Sequence, residues 1–120
     1  VDPMPAEQRF QGDTYLLISQ LSYSSSIVFA TTLKDHNFAT LIGQETGGFA
    51  NQTAQGNLFN LPNSELRAYV ATRLLVRPSG DTAVHGVIPD VTTEHDEASL
   101  LSEQDTEINA ALELIRNRAI

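Results

Sequence analysis

Residues 13 to 43 read as strand, helix, strand, and that succession limits the folds open to the chain. "DTYLLIS" is a short apolar run of branched and aromatic residues opened by Gly12–Asp13, the pattern of a buried strand. "SSIVFATTLKDHN" reads as a helix, with small and apolar residues first and Lys34, His36 and Asn37 at the C-terminal end, where positive charge and Asn are favoured. "FATLIG" is a second buried strand. Two strands joined by one helix form a βαβ unit: the helix returns the chain to the edge from which it set out, so the strands run parallel and the crossover is expected to be right-handed. The expected fold class is α/β.

Beyond this unit the pattern loosens. "GQETGGFANQTAQGN" is polar, rich in glycine and without periodicity, so it reads as a long loop, of a length that compact domains usually reserve for function. Within it, Asn51-Gln52-Thr53 fits a glycosylation acceptor, a three-residue match that a polar loop supplies readily by chance. "LFNLPNS" and "LRAYVATRLLVRP" alternate as strands, the second closed by the turn signal Pro78-Ser79-Gly80-Asp81. "VHGVIPDV" is short, and Pro89 restricts it to an edge or a strand end. From Asp105 to Ile120, apolar residues at helical spacing (Ile108, Ala111, Leu112, Ile115) lie between early acids and the late Arg116 and Arg118, which marks an amphipathic helix.

Composition removes several function classes. The 120 residues carry 15 acidic and 7 basic side chains, a net charge of −8, which leaves no electrostatic footprint for nucleic acid. The chain has no cysteine, which excludes disulfides, thiolate catalysis and cysteine metal sites, and its three histidines lack metal-ligand spacing. No cofactor or metal is expected. No apolar run approaches the roughly 20 residues of a membrane span. The opening "VDPMPAEQRF" has neither the basic nor the apolar region of a signal peptide, and its first residue is not Met. A piece of a longer protein is therefore expected, with residues 1–9 a linker, 10–95 an α/β core and 96–120 a C-terminal segment ending in the amphipathic helix.

The junction between the first strand and the helix is the chemically suggestive place. "SYSSS" sets Ser22, Ser24, Ser25 and Ser26 there. Serine is a good helix N-cap, its hydroxyl accepting from a backbone N–H of the first turn that has no partner within the helix. A serine at such a junction can also be a nucleophile, because its hydroxyl stands beside free N–H groups and the positive end of the helix dipole. Both readings are open at this level.

Residues 9 to 48, "RFQGDTYLLISQLSYSSSIVFATTLKDHNFATLIGQETGG", followed by "LPNS" and "GVIPD", resemble the C-terminal half of the catalytic domain of the C-terminal processing, or tail-specific, serine peptidases, a family that includes the tricorn protease core. The shared pattern is ordered: a serine-rich turn between strand and helix, a strand ending in Gly-x-x-Thr-x-Gly, and a later Gly-Val-x-Pro-Asp. The resemblance implies a ClpP/crotonase-like sheet-and-helix core, here a partial domain. It implies Ser24 as nucleophile, with the backbone N–H of Ser25 in the oxyanion hole. The "GQETGGFANQTAQGN" loop, especially Thr46, Gly47 and Gly48, would form a wall of the substrate cleft, the glycines permitting close approach of a peptide backbone.

The general base is the departure from the family pattern. In one branch of the family a lysine on the glycine-rich segment serves, and the aligned residue here is Phe49. The chain's one lysine, Lys34, stands ten residues into the helix that Ser24 begins, about 15 Å along its axis, and His36 stands farther still. His85, His95 or a base outside the chain remain. The other branch, tricorn-like, takes its histidine from well upstream and orients it with a carboxylate near the later hairpin, where Asp81 is the nearest acid and strict alignment gives Ala83. The expectation is a serine peptidase hydrolysing peptide bonds through an acyl-enzyme on Ser24, its base supplied from upstream and the isolated chain nearly inactive. The alternative is a non-catalytic module binding a peptide or partner through the same sheet. Peptide or protein is the expected substrate, self-association is expected from an uncovered sheet edge, and the resemblance implies an exported or envelope-associated bacterial protein.

Overall fold

Strand β1 (Tyr15–Ile18), helix α1 (Ser25–Asp35) and strand β2 (Thr40–Gly43) form the expected βαβ unit in the computed structural model, which describes residues 2–95, 97–101 and 104–118. The two strands are parallel and in register from Tyr15–Thr40 to Ile18–Gly43. Strand β5 (Val91–Thr92) joins the free edge of β2, also parallel, giving a sheet in the order β1-β2-β5. The α/β expectation holds. Because all three strands run one way, their carboxyl ends and the N-terminus of α1 lie on the same side, the side on which α/β sheets carry their sites.

β2 is central and its Leu41 and Ile42 are fully buried on successive positions, as a parallel strand covered on both faces requires. α1 presents Ile27, Ala30 and Thr31 inward, one face at spacings of three and four, and the Thr31 hydroxyl is satisfied by the Ile27 carbonyl at 2.9 Å. Val87 and Ala50 complete this core. Gly43 closes β2 at φ 132°, and a Cβ there would collide with the carbonyl oxygen of Ile18. Only glycine lets the two strand ends approach this closely.

The polar stretch after Gly43 is not one long loop. Strand β3 (Gln52–Asn60) begins inside it and pairs antiparallel with β4 (Arg67–Leu75), from Gln52–Leu75 to Asn60–Arg67. The loop is therefore half its expected length. "QTAQGN" carries no apolar alternation because β3 is held by its ladder to β4 rather than by burial: Gln52, Ala54 and Gly56 are half-buried and the rest of the strand is exposed.

The base of this hairpin is fastened to α1. Arg77, buried at the end of β4, donates from Nε (3.0 Å) and Nη2 (2.5 Å) to the Asp35 carboxylate, which also accepts from the N–H of Ser79 at 3.0 Å. The Arg77 guanidinium, seconded by Ser79, brings the Asp35 carboxyl down to about 2. Asn51 completes the fastening, accepting from Arg77 N–H (2.9 Å) and donating to the Asp81 carbonyl (2.8 Å), so its amide is engaged in structure. At the chain's end, α2 (Glu97–Leu101), which the sequence reading did not anticipate, precedes the expected amphipathic helix α3 (Thr106–Arg118). Asp105 caps α3 by accepting from the N–H of Ile108 at 2.8 Å, and α3 lies against β1 and β2.

Candidate active site

The chain leaves β1 through two successive turns. In the first, Ser22 N–H donates to the Ser19 carbonyl (2.9 Å) and the Ser22 hydroxyl accepts from Ser19 N–H (3.2 Å). In the second, Ser26 N–H donates to the Tyr23 carbonyl (3.3 Å), and Ser24 between them sits at φ 57°, ψ −125°. These angles belong to the first central position of a type II′ turn, ordinarily glycine's place. A residue with a Cβ held there stores on the order of 1–3 kcal/mol of strain.

The four serines divide two and two: the hydroxyls of Ser22 and Ser26 are engaged, and those of Ser24 and Ser25 have no partner among the described residues, with only Ser24 at positive φ. Ser22 satisfies the first turn, and Ser26 donates to the Tyr23 carbonyl at 2.5 Å. Ser24 is the N-cap residue of α1 by position, yet its side chain makes no capping hydrogen bond. Its hydroxyl is exposed and without a partner among the described residues, while its carbonyl accepts from Ile27 N–H (2.9 Å) and from the Gln52 amide (2.9 Å). The N–H of Ser25, at the first position of the helix, likewise has no partner among the described residues. An unengaged hydroxyl on a strained residue thus adjoins an unengaged N–H at the positive end of a helix.

A groove of about 400 Å³ opens beside Ser24 and Ser25. Its walls are Val28 of α1, the run Gln52 to Gln55 of β3, and Tyr69, Ala71 and Leu75 of β4. Thr46, Gly47 and Gly48 are not among them. Thr46 is buried, with its hydroxyl donating to the Gly48 carbonyl and accepting from Val87 N–H, both at 2.7 Å. Gly48 N–H donates to the Ser22 carbonyl at 3.1 Å, and a Cβ on Gly47 would strike Gln20 and Tyr23. The glycine-rich segment packs against the serine turn and braces it.

The family model described as Peptidase family S41 matches residues 2–93, three-quarters of the chain, from before β1 to just past β5. The chain belongs to peptidase family S41. In this S41 chain the match contains the serine turn, the bracing segment and the hairpin, while α2 and α3 follow it.

None of the residues weighed as a base from the sequence, neither the excluded Lys34 and His36 nor the remaining His85 and His95, lines the groove beside Ser24. Lys34 is ion-paired with Asp90, whose other oxygen accepts from Leu41 N–H at 2.8 Å. His36 caps the far end of α1 and stacks on Phe38. Phe49, at the lysine position, is exposed and bridges to Gly86. His85 has Nδ1 2.5 Å from the Gly86 carbonyl and Nε2 3.8 Å from the Asp81 carboxylate. His95 meets Glu107 at 2.8 Å. Burial alone would raise the Glu107 carboxyl, but hydrogen bonds from Thr93 and His95 bring it below its usual value. No Lys, His, Asp or Glu among the described residues lines the groove of Ser24.

A larger cavity, about 680 Å³, lies at the opposite end of the sheet, lined by Asp13, Lys34, Asp35, Asp90 and Arg118. Its charges are mutually engaged: Lys34 with Asp90, Arg118 with Asp13 at 2.9 Å, and Asp35 with Arg77. Among the described residues no group of three or more His, Cys, Asp or Glu is placed to hold a metal ion, and no helix is long and apolar enough to cross a membrane. Sequence reasoning missed Tyr69 of β4; Gln52 and Gln55 belong to the stretch read as a cleft wall, but as part of strand β3 rather than of a loop. The one local signal was Gly56, a glycine inside a strand that marks close approach of another group.

Proposed function

We propose that this S41 chain carries the nucleophile of a serine endopeptidase of the C-terminal processing type. The observation that carries the reading is the state of Ser24: a strained II′ backbone, a hydroxyl without a partner, and the free N–H of Ser25 beside it. Ser24 Oγ attacks the carbonyl carbon of a peptide bond and surrenders its proton to a general base. The tetrahedral oxyanion takes a hydrogen bond from Ser25 N–H. The base then protonates the departing amine, leaving an ester on Ser24 that water hydrolyses. The base, and a second oxyanion donor, come from polypeptide outside these 120 residues, because the groove offers neither lysine nor histidine. Thr46–Gly48 acts in this scheme by holding the serine turn, with a peptide backbone passing Gly47, which is exposed. An exported or envelope location belongs to the same proposal and rests on family resemblance.

The lack of a base in the groove also favours a second reading, a binding module without catalysis. Two assays on casein or a mixed peptide pool separate them. General-base assistance contributes about 10²–10⁴-fold, so the 120-residue chain alone is expected to hydrolyse barely above background. The longer protein is expected to be active and to lose activity on Ser24→Ala. Robust hydrolysis by the chain alone that vanishes with His85→Ala would make His85 the base. An inactive longer protein would favour the binding module.

A further inference from the structure

Ser24 and Ser25 share one peptide unit, and both of its ends bear on the reaction. The carbonyl is that of Ser24 and the N–H that of Ser25, and in a planar trans peptide the two point in opposite directions. The carbonyl accepts from Ile27 N–H at 2.9 Å and, more distantly, from Val28 N–H at 3.4 Å, the ordinary first bonds of a helix. A further donor comes from outside the helix. Gln52 Nε2, 28 residues on in the sequence, reaches the same oxygen at 2.9 Å, so both lone pairs of the carbonyl are engaged.

The fold holds Gln52 in place for this contact. It opens β3, pairs with Leu75 across the ladder and is half-buried. Its neighbour Asn51 accepts from Arg77 N–H, and the Arg77 side chain reaches Asp35, the last residue of α1. The hairpin base thus grips α1 at both ends, with an ion pair at its last residue and one neutral amide at its cap. The amide suits its end: a carboxylate there could not donate to a carbonyl and would set negative charge beside a developing oxyanion. A non-glycine residue keeps a conformation such as φ 57°, ψ −125° only where its surroundings hold it. Two bonds from beyond the turn do so, Gly48 N–H on the Ser22 carbonyl and Gln52 on the Ser24 carbonyl. Hydrogen bonds in series also polarise one another, so the Gln52 bond makes the Ser25 N–H a stronger donor.

We propose that Gln52 is a positioning residue for acyl transfer, holding and polarising the Ser24–Ser25 peptide so that the Ser25 N–H meets the oxyanion. The proposal rests on Ser24 as the nucleophile. The test is the kinetics of the longer protein on one peptide substrate with Gln52→Ala and the isosteric Gln52→Glu. The oxyanion contact forms only in the transition state, so both variants are expected to lower kcat about tenfold and to leave KM within about twofold. In the ¹³C,¹⁵N-labelled 120-residue chain, the Ser24 carbonyl ¹³C resonance is expected to move upfield in both variants as the bond is lost. Unchanged kcat, a rise in KM that accounts for the whole loss of kcat/KM, or an unmoved Ser24 carbonyl resonance would overturn the proposal. Failure of the Ser24 reading has a different signature, namely hydrolysis by the longer protein undiminished by Ser24→Ala while the carbonyl resonance still moves in the Gln52 variants.

Discussion

Ser24 occupies glycine's place in its turn, and the strain gives a stability test independent of any activity. Ser24→Gly relieves the left-handed backbone and Ser24→Ala retains it. Against the greater chain entropy of glycine, the Gly variant is expected to be more stable than the Ala variant by about 1 kcal/mol in urea unfolding. The reverse order would mean that the turn is not held as described. That a serine would stand at this junction was legible in the sequence, because an apolar strand ends at Ser19 and helical spacing begins at Ser25. What each serine hydroxyl does was not legible, since it depends on two turns whose hydrogen bonds close only within the folded chain.

At the scale of elements, the strand–helix–strand unit was readable because burial writes itself into apolar runs, and the hairpin was half missed because backbone pairing does not. The fastening of that hairpin to α1 is the next test. Asp35 and Arg77 are 5% and 7% exposed in their side chains, and removing one partner leaves the other charge buried. Arg77→Met is expected to cost about 3–5 kcal/mol, with Asp35→Asn, Arg77→Met together costing less than the sum of the single changes. The pH dependence follows from the same pair. The Asp35 carboxyl is lowered from 3.8 to about 2, so its contribution is complete above about pH 4 and is lost as pH falls toward 2. Its size is on the order of 2 kcal/mol. Acid unfolding of wild type and Asp35→Asn should therefore differ, with the wild type alone losing that increment across the window. Parallel acid curves would contradict the assignment.

The whole molecule is extended, with a radius of gyration of 18.9 Å, whereas a compact chain of this length has about 14 Å. The hairpin is responsible for part of this: Leu58, Phe59, Leu66, Tyr69, Val70 and Leu74 are 48% to 65% exposed on it. An apolar strand pair so uncovered is expected to associate, and light scattering should show a mass rising with concentration. A monomer at every accessible concentration would contradict this. Catalysis also belongs to this scale, because the site as proposed draws its nucleophile from one turn and its base from polypeptide beyond residue 1. The central claim is that Ser24, among its neighbouring serines, forms the acyl-enzyme. The most direct test compares kcat for Ser22→Ala, Ser24→Ala, Ser25→Ala and Ser26→Ala in the longer protein on one peptide substrate. Ser24→Ala is expected to lower kcat by at least about 10⁴-fold, and Ser25→Ala, which keeps the backbone N–H, to change it less than about tenfold. Full activity in Ser24→Ala, or an equal collapse in Ser25→Ala, would contradict the account.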